Sequence, residues 1–263
     1  MASPRQRAAR WRYVQYAILV AAALAIVLFA DWAELQRGFW NWELVQEQFP
    51  RVITIALKNT IIYTACGFAF GLALGLVLAL MRLSSIGPYR WIATAVIEIF
   101  RGLPALVVFI ALSVGFRLAF PEREIPFGNL GVVTLALGLV GGAYMAETIR
   151  AGIQAVPKGQ MEAARSLGMS HGRAMISVVV PQAFRIVLPP LTNELILLTK
   201  DSSLVYILGL SLEGYELTKF GREGMNSASN LTPVIVIGLC YLLITVPLSI
   251  VVRRMESRAE RAR

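Results

Sequence analysis

One histidine and two cysteines are all that this chain of 263 residues offers a transition metal. His171 stands alone, with no second His or Cys near it, which excludes a zinc-type cluster of closely spaced ligands. Cys66 and Cys240 lie inside apolar stretches and read as buried thiols rather than a disulfide. No G-x-x-x-x-G-K-[ST] segment occurs, so the chain lacks that phosphate-cradling loop for ATP. No Ser/His/Asp set is visible, and no residue is assigned a catalytic role. Charge is scarce too: Asp, Glu, Lys and Arg make up 16% of the residues, against about 25% in soluble domains.

What is present is apolar length. Hydrophobic residues are 57% of the chain, and they come in long uncharged runs, so the expectation is an all-α, polytopic membrane bundle. The net charge of +9 does not point to nucleic acid, because the charges fall at the ends of apolar segments. Residues 1–12 form a basic N-terminus with four Arg. Residues 13–30 follow without a charge until Asp31; the run exceeds the apolar region of a signal peptide, so a spanning helix is favoured over a leader. Trp32, Trp40 and Trp42 suit a membrane–water interface, in a loop expected at 31–51.

Further spans are expected at 59–81, 89–120, 125–146, 174–199 and 231–252. The first of these carries Gly67, Gly71 and Gly75 on one helix face, either as a close-packing surface or as the glycine content usual in membrane helices. The second is too long for one straight crossing and holds Glu98, Arg101, Gly102 and Pro104 near its middle. Gly102 and Pro104 predict a break there. Charges at that depth mark a polar pathway, or else Glu98 and Arg101 simply pair at i,i+3. The fourth, 174–199, is interrupted by Pro181, Arg185, Pro189, Pro190 and Glu194, which suits the inside of a bundle. A polar loop at 200–230 is expected to hold a short helix at 202–212.

Six spans put both termini on one side. That side holds 15 Lys and Arg in its loops and tails against 6 on the other, so both termini, including the basic tail at 253–263, are predicted to be cytoplasmic. The cytoplasmic side also carries Pro157-Lys158-Gly159-Gln160-Met161-Glu162-Ala163-Ala164-Arg165-Ser166-Leu167-Gly168. Pro at the start, good helix formers, an i,i+3 Glu162–Arg165 pair and a terminal Gly predict one compact helix over about 157–168. A bundle without chemistry of its own, displaying such a helix, suits a pore driven by a soluble partner.

Glu162-Ala163-Ala164, then Gly168, then Val178-Val179-Val180-Pro181 resembles the EAA motif of ABC importer permeases, with Val in place of the usual Ile and Leu. Glu98-Ile99-Phe100-Arg101-Gly102-Leu103-Pro104, Ala143-Tyr144-Met145-Ala146-Glu147, Pro181-Gln182-Ala183 and Lys200-Asp201-Ser202-Ser203-Leu204 are similar to segments of the polar amino acid uptake branch, the histidine, glutamine, arginine and glutamate type. The resemblance covers about residues 50–252 and implies a type I ABC importer fold with a five-helix permease core at 51–252; the span at 13–30 is extra. Leu103 departs from a common Thr, and Ser202-Ser203 from Thr-Ser.

The resemblance implies an inner-membrane subunit of a bacterial importer. Its partners would be a cytoplasmic ATP-binding-cassette ATPase dimer, a second permease subunit (the same chain or a homologue) and an extracytoplasmic solute-binding protein. The chain itself would hold no cofactor, since ATP and magnesium would sit in the ATPase. Gln160, Glu162, Ala163, Ala164, Arg165 and Gly168 would couple to that ATPase. Arg101, Glu147, Glu98, Pro104 and Asn193 are candidates for the substrate pathway, with Arg101 for a carboxylate and Glu147 for an ammonium. Glu194 is a weaker candidate. Lys200 and Asp201 would form a gate or a loop-stabilising pair. The competing readings are an ion-gradient-driven secondary transporter, which has no need of the EAA helix, and a non-transporting adaptor, against which the intramembrane charges argue.

Overall fold

The computed structural model describes residues 4–123 and 125–261. Residues 1–3 of the expected basic N-terminus, Glu124, and residues 262–263 of the tail lie outside them. Among the described residues the chain is helical throughout, without a strand. Helix α1 (Pro4–Phe29) contains the apolar stretch Trp11–Phe29, which has no buried residue.

The expected loop at 31–51 instead forms two short helices, α2 (Trp32–Phe39) and α3 (Trp42–Gln48). The cause is local: the side chains of Asp31 and Asn41 accept from the first free N–H groups of each helix. Both helices are pinned to the start of the last span. Leu231 N donates to Gly38 O at 2.9 Å, and Asn41 N donates to Thr232 Oγ1 at 2.8 Å.

A π-helical stretch, Val52–Leu57, leads into α4 (Lys58–Leu83). Next come α5 (Gly87–Gly102) and, after a bend of 105°, α6 (Ala105–Ile110) and α7 (Phe116–Ala119). The bend is where Pro104 was expected to break the span. Leu103 N still donates to Ile99 O, but Pro104 has no N–H to continue the ladder and becomes the first residue of the next helix start.

Helix α8 (Gly128–Ala155) returns across the bundle and packs along α4 more extensively than any other pair of helices. The glycines make this approach possible. A Cβ on Gly71 would lie 3.1 Å from Gly138 O, one on Gly75 2.9 Å from Gly142 O, and one on Gly142 3.0 Å from Gly71 O. Gly67, Gly71 and Gly75 therefore form a packing face, matched by glycines of α8.

Helix α9 (Lys158–Ser166) follows, then α10 (His171–Ala174), a π-helical stretch, and α11 (Val180–Asp201), which keeps Pro189 and Pro190 inside it. A 3-10 segment, Ser202–Leu208, takes the place of the short helix expected at 202–212. Helix α12 (Leu217–Ala228) was not expected; Glu216 caps it, and its Gly221 lies against Ile237. Helix α13 (Thr232–Arg261) is the last among the described residues. The main core joins α4, α6, α8 and α11 through Tyr63, Phe109, Leu137, Met145, Val187 and Leu198. Five helical stretches are long and apolar enough to cross a membrane, and counting the bent α5–α7 segment as one broken span makes six, the number expected.

Candidate functional site: a charged cavity at the broken span and a displayed polar helix

The break between α5 and α6 leaves a cavity of about 530 Å³ between that corner, α8 and α11. Arg101, Gly102, Leu103 and Pro104 line it from the corner, and Tyr144 from α8. Glu194 and Asp201 line it from α11. These two acids are seven residues apart, about two helical turns, which is why they share a face. The Arg101 guanidinium lies over the Tyr144 ring, 5.5 Å from its centre. Arg101, Glu194 and Asp201 form no ion pair among the described residues.

Glu147 and Glu98 do not line this cavity. Glu147 accepts from Arg82 Nη1 at 2.5 Å and also pairs with Arg150. Glu98 lies 3.8 Å from Arg82 rather than pairing with Arg101 as the i,i+3 spacing allowed. Arg82 is thus the centre of an ion-pair cluster tying α4 to α5 and α8. Nothing in the sequence announced it, since its main partner is 65 residues away. Asn193 is exposed and off the cavity wall. Lys200 is exposed as well, and it makes no ion pair with Asp201 among the described residues.

The second feature is α9. Pro157 stands at its start, as the sequence implied, and Gly168 follows its end with φ +83°, a left-handed conformation that glycine adopts without strain. Met169 N closes the end by donating to Ala164 O at 3.2 Å. The helix is seated on one face: Ala164 is 5% exposed, and Met161 packs with Val156, Val179 and Ala183. Gln160, Glu162, Ala163, Arg165 and Gly168 face out. The two alanines therefore divide, Ala163 outward and Ala164 into the bundle. Glu162 and Arg165 form no ion pair among the described residues, which leaves two charges on the open face. Gln182 Nε2 donates to Gln160 Oε1 at 3.3 Å, steadying α9 against α11.

Residues 71–261 match the protein family described as binding-protein-dependent transport system inner membrane component. The chain is similar to the L-cystine transport system permease protein TcyB of Bacillus subtilis, at 37% identity over 224 residues, 84% of this chain and 92% of that protein. It is similar to the arginine transport system permease protein ArgU of Corynebacterium glutamicum, at 35% identity over 259 residues, 93% of this chain and 78% of that protein. A crystal structure of an amino acid ABC transporter with histidines superposes with a TM-score of 0.73 at 34% identity, covering 83% of this chain and 98% of the other. With its apolar helices the chain is a multi-pass inner-membrane protein. The bundle has the type I ABC importer fold, and the chain belongs to the family of binding-protein-dependent transport system inner membrane components: a permease subunit of an ATP-driven importer, with hydrolysis left to a separate ATPase.

Proposed function

We propose that this permease imports polar amino acids, with Arg101 and the cavity beside it on the pathway and α9 as the lever worked by a cytoplasmic ATPase. The observation that carries the reading is α9: a polar helix seated through Ala164 and Met161, with Gln160, Glu162, Ala163 and Arg165 outward. Closure of two ATPases would push this helix, and its seat on the α11 end of the bundle would transmit the motion and alternate the access of the cavity. ATP and magnesium belong to that ATPase. A second permease subunit and an extracytoplasmic solute-binding protein complete the importer. Both termini and α9 face the cytoplasm, in keeping with the excess of Lys and Arg on that side.

In the pathway, the fork of Arg101 suits a carboxylate, and the Tyr144 ring lies within cation–π distance of it. Pro104 keeps the corner open by ending one helix and starting the next. Glu147 and Glu98 act from the neighbouring Arg82 cluster, which holds the α4, α5 and α8 ends together around the cavity. Of the two gate candidates, Asp201 lines the cavity and Lys200 does not. The relatives transport, by their names, L-cystine and arginine, and the superposed structure contains histidine; each is an amino acid with a carboxylate and an ammonium for such a site.

The test is uptake in proteoliposomes. With the ATPase, the binding protein and ATP, amino acid enters; without the ATPase, it does not. Uptake driven by an ion gradient with no ATPase present would overturn the reading.

A further inference from the structure

We propose that Asn59, Thr60 and Tyr63 of α4 are positioning residues for transport: they latch residues 213–217 in place and so hold the wall that closes the cavity beside Arg101 on the side away from α9. The proposal rests on the pathway assigned above and adds the residues that keep one end of it shut.

The wall is the stretch that follows α11. That helix starts beside α9 and ends at Asp201, on the lining of the cavity. Beyond it, Ile207 and Leu208 line a second cavity of about 300 Å³, together with Ser113 and Asn129. Helix α8 also reaches both cavities, the first at Val140 and Tyr144, the second at Asn129 and Val132. Between these two sets of positions the residues are closed in. Ala136 on α8 is 0% exposed and Val205 on the 3-10 segment 1%, and both join Phe109 of α6 in the main core. One apolar layer thus keeps two cavities apart, and Val205 is the part of it carried by a short segment rather than by a long helix.

What fixes that segment comes from α4. The turn Leu212–Gly214 has no buried residue of its own. Instead the backbone here is bonded to side chains of α4. Asn59 Nδ2 donates to Glu213 O at 2.6 Å and to Tyr215 O at 2.9 Å. The Tyr63 hydroxyl donates to Gly214 O at 3.0 Å, and Leu217 N donates to Thr60 Oγ1 at 3.1 Å. Asn59 and Tyr63 are about one helical turn apart and share a face, so both reach the same run of carbonyls. Tyr63 also lies in the main core with Val205 and Leu210. Gly209 joins the wall to the latched residues with φ +65° and with open space where a Cβ would be. A glycine there is a joint rather than a stay, so the wall depends on the bonds at 213–217. A tie made of a few hydrogen bonds, with little buried area behind it, is of the kind that local opening releases and re-forms.

The experiment reads access to the cavity from the side away from α9. The complete importer is placed in right-side-out membrane vesicles, with Ala105→Cys on the cavity lining of a chain that also carries Cys66→Ser and Cys240→Ser. Reaction with a membrane-impermeant maleimide added outside is timed without nucleotide. Tyr63→Phe and Asn59→Leu are then added singly; each removes the donor and keeps most of the bulk. Each is expected to speed labelling at least fivefold and to lower the amino acid taken up per ATP hydrolysed at least threefold. Arg82→Met, which weakens the other end of α4, is the control for lost stability: it is expected to lower Tm and yet to label like the parent. Labelling unmoved by both latch variants, or raised as much by Arg82→Met, would overturn the proposal. Labelling does not depend on what is carried, so the two failures are distinct. Unmoved labelling in an importer that works overturns the latch alone, whereas faster labelling in a complete importer that moves no amino acid on ATP upholds the latch and overturns the transport reading.

Discussion

Arg82 on α4 and Glu147 on α8 stand 65 residues apart in the chain and meet with Nη1 2.5 Å from Oε2. The contact closes a cluster in which Arg150 holds the other Glu147 oxygen and Glu98 lies 3.8 Å from Arg82. About a quarter of each side chain stays accessible, 23% for Arg82 and 26% for Glu147. Removing one partner of a fully buried pair costs about 3–5 kcal/mol; with this exposure, screening reduces the expected cost to about 1–2 kcal/mol.

Arg82→Met and Glu147→Gln are therefore expected to lower the Tm of the detergent-solubilised chain, by about 2–8 °C for a chain of this size. The double variant should cost less than the sum, because the two residues share one interaction. An unchanged Tm for Glu147→Gln with a raised KM for uptake would move Glu147 from the scaffold to the substrate.

The α4–α8 seam makes a second prediction. Gly142 has the Gly71 carbonyl oxygen 3.0 Å from where a Cβ would be, whereas Gly238 has nothing within 4 Å. Gly142→Val should separate the two helices and cost about 1–3 kcal/mol or more, seen as a lower Tm and reduced yield of folded protein. Gly238→Ala, inside a helix with open space around it, should be neutral or stabilising by about 0.5–1 kcal/mol. Equal behaviour of the two variants would refute the close approach.

These contacts mark the limit of what the sequence discloses. Apolar length located the long helical stretches, Pro104 and Gly102 the break, and the Pro157 to Gly168 string the displayed helix, because each depends on residues adjacent in the chain. Gly67, Gly71 and Gly75 announced a packing face but not that α8 answers it with its own glycines. The pairing of Arg82 with Glu147 and the meeting of Arg101 with Glu194 and Asp201 depend on which helices are neighbours, and local pattern is silent on that. Spacing alone still put Glu194 and Asp201 on one face. Helix α12 was hidden because its polar residues match a loop in composition; its start signal, Glu216, is a capping residue that a hydropathy reading passes over.

Glu216 supplies a pH dependence. It lies outside the spans, fully buried at the start of α12, and its carboxylate accepts from Thr218 N, Lys219 N and the Tyr241 hydroxyl. Burial pushes its pKa up from 4.5 to about 7, and the hydrogen bonds oppose this without cancelling it. A carboxyl with a raised folded-state pKa binds its proton more tightly in the folded state. Its contribution to stability is thus fully present below pH 4.5 and is lost as pH rises through about 7. Melting curves between pH 5 and 8 should show Tm falling by several degrees across that window, and Glu216→Gln should flatten the slope. A slope that survives the substitution would assign it to another group.

The division of α9 into a seated face and an open face separates two kinds of failure. Ala164 is 5% exposed, so Ala164→Glu places a charge in a buried position and should unseat the helix, lowering Tm and transport together. Glu162 is exposed, so Glu162→Lys should leave Tm within about 1 °C, as surface substitutions do, while reversing a charge on the face offered to the ATPase. Gly168→Asp adds a side chain where φ is +83°, which strains the helix end and shifts the angle at which the lever meets its partner. For Glu162→Lys and Gly168→Asp the expected phenotype is ATPase activity retained and uptake reduced at least tenfold, measured on the same proteoliposomes. If α9 were only a loop helix, Glu162→Lys would import normally, and the loss on Ala164→Glu would follow its Tm alone. Comparing the ratio of uptake to ATP hydrolysis in the three variants therefore separates a coupling surface from a structural helix.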